Sequence, residues 1–187
     1  MIDSKSKSWL KLVGSEVMNS KEAIFLIRIH VGLINEKIGE PKSVLVIGCA
    51  DGTEMSLWDN SEGIDLNQTS LNICESKGLK ARMMDMHKMD FNDNSFELVS
   101  SRDVFEHAIS PIEAISEMSR VSSKYVAITI PDSSWQWSDW HFIIPTMKQM
   151  ITLGEKVGLR LLSYREYGAI QGSEYVKQYL YLFEKDN

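Results

Sequence analysis

The chain has 187 residues, a formal net charge of −6 and a sequence pI of about 5.3, and its length suits one domain with a full core. An acidic balance argues against a nucleic-acid partner, which normally requires a basic face. The two cysteines give neither a disulfide framework nor metal-site spacing, so we predict no metal and a reducing, cytoplasmic compartment. Residues 1–11 lack the apolar core of a signal peptide, and polar residues interrupt the apolar segment 23–34, so no membrane span is predicted.

The first predicted element is a helix that begins after a capping pair at Asn19 and Ser20. Apolar residues recur at helical spacing over residues 24–38, and Gly39 ends the helix. His30 lies in its middle, and we expect that side chain to be structural. The helix has more apolar faces than one core contact needs, so a homodimer is a candidate assembly.

The following elements alternate between strands and helices. Strands are predicted over residues 43–47, 63–66, 81–84, 96–101 and 125–130, with helices over 54–58, from Asn67 to Gly78, from a cap at Ser110, and over 147–158. Two last strands, 160–167 and 175–183, have no helix between them and can pair antiparallel. We therefore predict an α/β fold with a doubly wound, mostly parallel seven-stranded sheet, an antiparallel C-terminal strand pair and helices on both faces. A single domain spans residues 1–187, with a helical segment 1–41 before a core 42–187.

A glycine loop follows the first predicted strand. Gly48 ends the apolar run, Gly52 follows it, and Asp65 ends the second strand. A strand, a glycine loop, a helix and a strand that ends on an acid form half of a nucleotide-binding unit, in which the acid can hold a ribose diol. Ligands of such sheets bind at the carboxyl ends of the strands, where Asp85 and Ser101 are also predicted to lie.

The register of the loop separates two classes of ligand. A dinucleotide fingerprint requires glycine at positions 50 and 53, where this chain has Ala50 and Thr53. Asp51 would also repel a pyrophosphate. S-adenosylmethionine (SAM) has no phosphate, and its sulfonium and ammonium groups are cationic. The loop thus favours SAM over a nicotinamide cofactor, while a turn without a ligand stays as the alternative.

Residues 42–183 resemble the class I SAM-dependent methyltransferases, above all the small-molecule group of ubiquinone and menaquinone biosynthesis. The resemblance rests on residues 44–52, 63–66, 84–86, 93–99 and 104–107. It implies that SAM is the cofactor, that Asp65 takes the ribose hydroxyls, and that Asp85 receives the adenine amino group while the Met86 amide faces the ring. The implied cofactor-binding set is Gly48, Cys49, Ala50, Gly52, Asp65, Leu66, Asp85, Met86 and Ser101.

The chain departs from the family at two positions of the loop motif. Val46 stands where members usually carry an acid that helps to position the loop and the SAM amino group. Ala50 replaces the middle glycine, so we expect ordinary backbone angles there.

Few residues of the sequence indicate how the methyl acceptor is bound. His107, just past the fourth strand, and His141, after the fifth, are the candidate general bases. Trp135, Trp137 and Trp140 are candidates for an aromatic wall that holds the acceptor and excludes water. We expect methyl transfer by direct displacement to a small or medium-sized acceptor, with a catalytically idle SAM-binding regulatory or scaffold protein as the alternative.

Overall fold

The computed structural model describes residues 21–133, 141–171 and 174–186. The predicted cap at Asn19 and Ser20 and the tryptophans Trp135, Trp137 and Trp140 lie outside these ranges. The described helices are α1 (Lys21–Ile38), α2 (Gln68–Ser76), α3 (Pro111–Val121) and α4 (Met147–Lys156). The strands are β1 (Val44–Ile47), β2 (Ser61–Asp65), β3 (Ala81–Met83), β4 (Phe96–Arg102), β5 (Ser122–Pro131), β6 (Leu159–Gln171) and β7 (Glu174–Lys185).

All seven strands form one sheet in the order β3-β2-β1-β4-β5-β7-β6. Strands β1 to β5 pair in parallel, whereas β7 is antiparallel to both β5 and β6. The predicted fold class, including the antiparallel C-terminal pair, is confirmed. Because β1 to β5 all run in the same direction, their carboxyl ends lie at one edge of the sheet.

Several elements differ from the prediction. The helix predicted over 54–58 is only a 3₁₀ turn, Met55–Leu57, because few residues separate the glycine loop from β2. Strands β6 and β7 extend beyond the predicted bounds, since they pair with each other past the point where β5 ends at Pro131. Ser110 precedes α3 as predicted but makes no side-chain cap.

The two faces of the sheet are buried by different helices. Leu45 and Ile47 of β1 face a core that includes Ile115 of α3 and Met150 of α4. Val44 and Val46 face the other core, which includes residues of α1 and α2. Burying each such side chain contributes about 1.5–3 kcal/mol, so β1, buried on both faces, is fixed in position. Among the described residues, no helix is long and apolar enough to cross a membrane.

A buried polar network joins α1 to the middle of the sheet. His30 is fully buried, with Nδ1 3.0 Å from Thr129 Oγ1 and Nε2 2.9 Å from Ser100 Oγ. The Ser100 hydroxyl donates to Glu54 Oε1 at 2.6 Å, and that oxygen lies 3.5 Å from His30 Nε2. His30 is therefore structural, as predicted, and it ties the end of the glycine loop to β4 and β5.

Glu54 is the charged member of this network. Burial acts to raise the pKa of its carboxyl group, but His30 and the Ser100 hydroxyl outweigh burial, so the pKa lies below its usual value. A carboxyl group whose pKa is lower in the folded state stabilises the protein above its unfolded-state pKa of about 4.3. That contribution is lost as the pH falls through the folded-state pKa.

We therefore expect Glu54→Gln to lower the free energy of unfolding at pH 7 by about 1.5–3 kcal/mol, the range for hydrogen bonds to charged groups. The variant should also lose less stability than the wild type between about pH 5 and pH 3. Urea unfolding at several pH values measures both effects. Glu40→Gln, at an exposed position outside the network, is the control and should follow the wild-type profile. Parallel pH profiles for Glu54→Gln and the wild type would contradict the assignment.

Candidate functional site

The side chains predicted to bind the cofactor meet at the carboxyl edge of the sheet. Gly48 follows β1, Asp65 is the last residue of β2, and Ser101 lies near the end of β4. The strand register pairs Ile47 of β1 with Ser101, so the end of β4 lies beside the loop. Asp85 comes two residues after β3. The fold therefore brings together the residues that the sequence placed at four separate strand ends.

The loop after β1 has a left-handed backbone at three alternate positions. The φ angles are +65° at Gly48, +49° at Ala50 and +79° at Gly52. A Cβ at Gly48 would collide with the side chain of Val104, so only glycine fits there. The expectation of ordinary backbone angles at Ala50 was wrong. Hydrogen bonds on both sides of that residue explain its conformation.

The first of these bonds goes to Asp65. The backbone N–H of Ala50 donates to Asp65 Oδ2 at 2.8 Å, and the Asn67 N–H donates to Asp65 Oδ1, also at 2.8 Å. The Cys74 thiol contacts the Ala50 carbonyl oxygen at 3.3 Å. Burial raises the pKa of Asp65, against the opposing effect of the backbone donors from Asn67 and Ala50. Each carboxylate oxygen accepts more than one hydrogen bond, so Asp65 keeps capacity for a hydroxyl donor.

Asp51 was expected to repel a pyrophosphate with its charge, but that charge has partners within the protein. Its carboxylate accepts from the Thr53 hydroxyl at 2.7 Å and lies 3.0 Å from Lys77 Nζ. Burial acts to raise the pKa of Asp51, and the bonds from Thr53 and Lys77 outweigh it, so the pKa is lowered. Its charge is thus already paired, which weakens the electrostatic case against a pyrophosphate. The register of the glycines remains the stronger argument against a dinucleotide.

Val46 occupies the position where the resemblance implies an acid, and a buried carboxylate lies on the same face of the sheet. Val46 is buried and pairs with Ser100 across β1 and β4, so both side chains lie on the α1 face. Ser100 donates to Glu54, so a buried carboxylate lies on the face of the sheet that Val46 shares. The role of Glu54 was not predicted from the sequence, because its partners come from α1 and β4 and no local motif joins them.

Cys49 belongs to the loop, and Cys74 lies against it from α2. A hydrogen bond with Cys74, together with burial, raises the pKa of Cys49, so this thiol stays protonated. A Cβ at Gly63 would come within 2.7 Å of the Cys49 sulfur, so Gly63 lets β2 pack against the loop.

Asp85 turns towards His87. Asp85 Oδ1 accepts from the His87 N–H at 2.9 Å and contacts His87 Nδ1 at 2.6 Å. Burial acts to raise the pKa of Asp85, but the hydrogen bonds and the charge of His87 outweigh burial. The pKa of Asp85 is therefore lowered. The Ser110 N–H donates to His87 Nε2 at 3.3 Å. Instead of capping α3 with its hydroxyl, Ser110 thus helps to hold the Asp85–His87 pair, and Asp85 remains exposed to a ligand.

The end of β4 is rich in buried polar atoms that the described part of the chain does not satisfy. Ser101 Oγ, Arg102 Nε, Glu106 Oε2 and Gln178 Oε1 are all buried without a hydrogen-bond partner. Buried polar atoms in native proteins are usually satisfied by protein, water or ligand. This end of the sheet is therefore suited to a polar ligand.

The two candidate bases lie side by side. The rings of His107 and His141 have their centroids 5.0 Å apart and are tilted by 51°. His107 belongs to a 3₁₀ turn after β4, Phe105–His107, and His141 precedes a segment that is hydrogen-bonded to that turn. Glu106 adds a buried carboxylate to the pair, and neither the carboxylate nor the proximity of the rings was predicted.

A matched pair of substitutions tests the backbone at Ala50. A left-handed alanine costs about 1–2 kcal/mol, so Ala50→Gly should change the free energy of unfolding by less than about 0.5 kcal/mol once the lost methyl and the freer unfolded chain are included. Ala114→Gly, within α3, also removes one buried methyl and should cost about 2 kcal/mol. Urea unfolding measures both. Equal losses at the two positions would rule out the left-handed conformation.

Comparisons with known proteins bear on the fold and the family. A family model, described as a methyltransferase domain, matches residues 45–126. No curated protein sequence matches the chain. Among solved structures, the methyltransferase complexed with the Trm112 methyltransferase activator of Haloferax volcanii is 12% identical, covers 97% of this chain and 96% of its own, and has a TM-score of 0.76.

Two further structures share the fold. A SAM-dependent methyltransferase from Thermotoga maritima is 15% identical over 87% of this chain and 93% of its own, with a TM-score of 0.70. The [4+2]-cyclase SpnF is 13% identical over 92% of this chain and 85% of its own, with a TM-score of 0.72. At these identities the solved structures show the fold alone, and the cyclase shows that the fold does not fix the reaction. Residues 45–126 thus match a methyltransferase domain, and the chain shares the fold of solved SAM-dependent methyltransferases.

Proposed function

We propose that the protein binds SAM at the carboxyl edge of the sheet and transfers its methyl group to a small or medium-sized acceptor. The observation that carries the proposal is the Asp65 carboxylate, held against the glycine loop by the Ala50 N–H at 2.8 Å. A carboxylate at this place can accept both hydroxyls of a ribose. Small-molecule acceptors are also typical of the ubiquinone-like group that the motifs resemble.

The charges of the site suit a cationic ligand. Asp65 and the exposed Asp85 are both carboxylates at the edge, while Asp51 is already paired with Lys77. Leu66 is 41% exposed and Met86 is half-buried, so both have apolar surface free to flank an adenine ring. The full set that we propose for SAM is Gly48, Cys49, Ala50, Gly52, Asp65, Leu66, Asp85, Met86 and Ser101.

The chemistry needs little from the protein beyond positioning. SAM supplies a methyl group on a sulfonium that is already a good leaving group. Aligning the acceptor and excluding water can contribute about 7–11 kcal/mol to the lowering of a barrier. The proximity of His107 and His141 beyond β4 supports our proposal that they take a proton where the acceptor must lose one. Trp135, Trp137 and Trp140 stay our candidates for the acceptor wall.

The cellular setting is part of the same proposal. The free, buried thiols of Cys49 and Cys74 support a reducing compartment such as the cytoplasm. Phe25 of α1 is 54% exposed and supports a homodimer through this helix. Since one structural neighbour forms a complex with a methyltransferase activator, a protein partner is a further candidate.

Calorimetry tests the cofactor site. Asp65→Ala should weaken SAM binding by about 1.5–3 kcal/mol, the range for hydrogen bonds to a charged group. Glu62→Ala, on the same strand but paired with Arg82, is the control and should bind SAM as the wild type does. Thermal unfolding establishes that both variants are folded. Unchanged affinity in a folded Asp65→Ala variant would rule out the ribose role, and stabilisation by NAD rather than SAM would overturn the cofactor assignment.

Methyl transfer needs its own test. Incubating the protein with methyl-labelled SAM and a cell extract should move the label into the small-molecule fraction. His107→Ala and His141→Ala should lower that transfer by roughly 10²–10⁴-fold if a base is used, and both should retain SAM affinity. We also expect alanine at one or more of Trp135, Trp137 and Trp140 to lower methyl transfer while SAM affinity is retained. Tight SAM binding with no labelled product would instead support the idle SAM-binding protein.

A further inference from the structure

Glu106, His107 and His141 form a three-residue cluster at the carboxyl edge, just beyond β4; we call it the Glu–His–His cluster. Each residue offers one ligand atom, and the three atoms lie within 4.8 Å of one another. Zn²⁺ binds such nitrogen and oxygen atoms at about 2.0–2.2 Å, so shifts of less than about 1 Å for each atom would place all three on one ion. We propose that the cluster binds a divalent transition-metal ion of the zinc class.

The state of Glu106 supports a cation there. The residue is only 1% exposed, and its Oε2 has no hydrogen-bond partner in the part of the chain that the structure describes. Leaving a buried polar atom unsatisfied costs about 1–3 kcal/mol, and more for a charged group. Buried carboxylates are normally paired, hydrogen-bonded or bound to a metal. A metal ion between the carboxylate and the two imidazoles would provide the missing partner.

The backbone holds the three ligands as one unit. The Phe142 N–H donates to the Glu106 carbonyl oxygen at 2.9 Å, and the Ile143 N–H reaches the same oxygen at 3.3 Å. His141, directly before Phe142, is thus tied to the turn that carries the other two ligands. Within that turn the His107 N–H donates to the Val104 carbonyl oxygen at 3.0 Å. The ligands are therefore held close together before any ion arrives.

The donor set selects the kind of metal. Two imidazoles and one carboxylate suit Zn²⁺ or another first-row transition ion, whereas Mg²⁺ and Ca²⁺ prefer oxygen donors alone. Three protein ligands leave one position of a tetrahedral ion for an outside oxygen or nitrogen, which is the pattern of catalytic rather than structural zinc. Both histidines are half-buried, so the ion can enter from solvent. An acceptor with an oxygen or nitrogen donor is the class of molecule that this position would take.

The metal site stands on its own geometry and does not depend on SAM binding. A nitrogen that binds the metal cannot accept a proton. While a metal ion is bound, His107 and His141 therefore do not act as general bases. The test therefore measures metal binding alone, without cofactor or acceptor.

The full-length protein, without a histidine tag and stripped of metal with a chelator, is titrated with Zn²⁺ in a calorimeter. We expect about one ion per chain, and Co²⁺ in place of Zn²⁺ should give the visible absorption of a tetrahedral site. Glu106→Gln and His141→Ala should each weaken Zn²⁺ binding by roughly 100-fold or more, since even outer-shell groups contribute 10–100-fold. His87→Ala, which removes a histidine outside the cluster, should bind as the wild type does.

Thermal unfolding accompanies each titration. Glu106→Gln keeps the shape of the side chain and His141 is only half-buried, so we expect both variants to fold. Weaker Zn²⁺ binding in a folded variant, with His87→Ala unchanged, supports the site. Wild-type affinity in a folded Glu106→Gln or His141→Ala variant overturns the proposal, as does Zn²⁺ binding that disappears in His87→Ala.

Discussion

A single hydrogen bond, from the Ala50 N–H to Asp65 Oδ2 at 2.8 Å, ties the loop after β1 to the end of β2. The bond holds an alanine in a left-handed conformation that would otherwise cost about 1–2 kcal/mol. It also fixes the carboxylate that we assign to the ribose. The shape of the loop and the orientation of the acid therefore depend on the same contact.

A second constraint acts from below the loop. Glu54 follows the glycine loop and is bound by Ser100 of β4, which contacts His30 of α1. The network anchors the far end of the loop to the centre of the sheet, and it puts a buried carboxylate on the face of the sheet that Val46 shares.

Much of the fold was predictable because its signals are local. Apolar runs bounded by glycine and turn residues marked the strands, and Asn67 caps α2 through the Thr69 N–H as its position predicted. The backbone at Ala50 was not predictable, because Asp65, from another strand, sets it. The proximity of His107 and His141 was equally hidden, since it depends on hydrogen bonds from the Phe142 and Ile143 N–H groups to the turn after β4.

We propose above all that a SAM-type ligand lies across the carboxyl edge between Asp65 and Asp85. A crystal structure of the protein with S-adenosylhomocysteine, which carries the same nucleoside and sulfur, tests it most directly. We predict both ribose hydroxyls within hydrogen-bond distance of Asp65, and the adenine amino group within that distance of Asp85 with the ring beside Met86. A nucleoside bound elsewhere, or an adenine beyond hydrogen-bond distance of both Asp85 and Met86, would contradict the account.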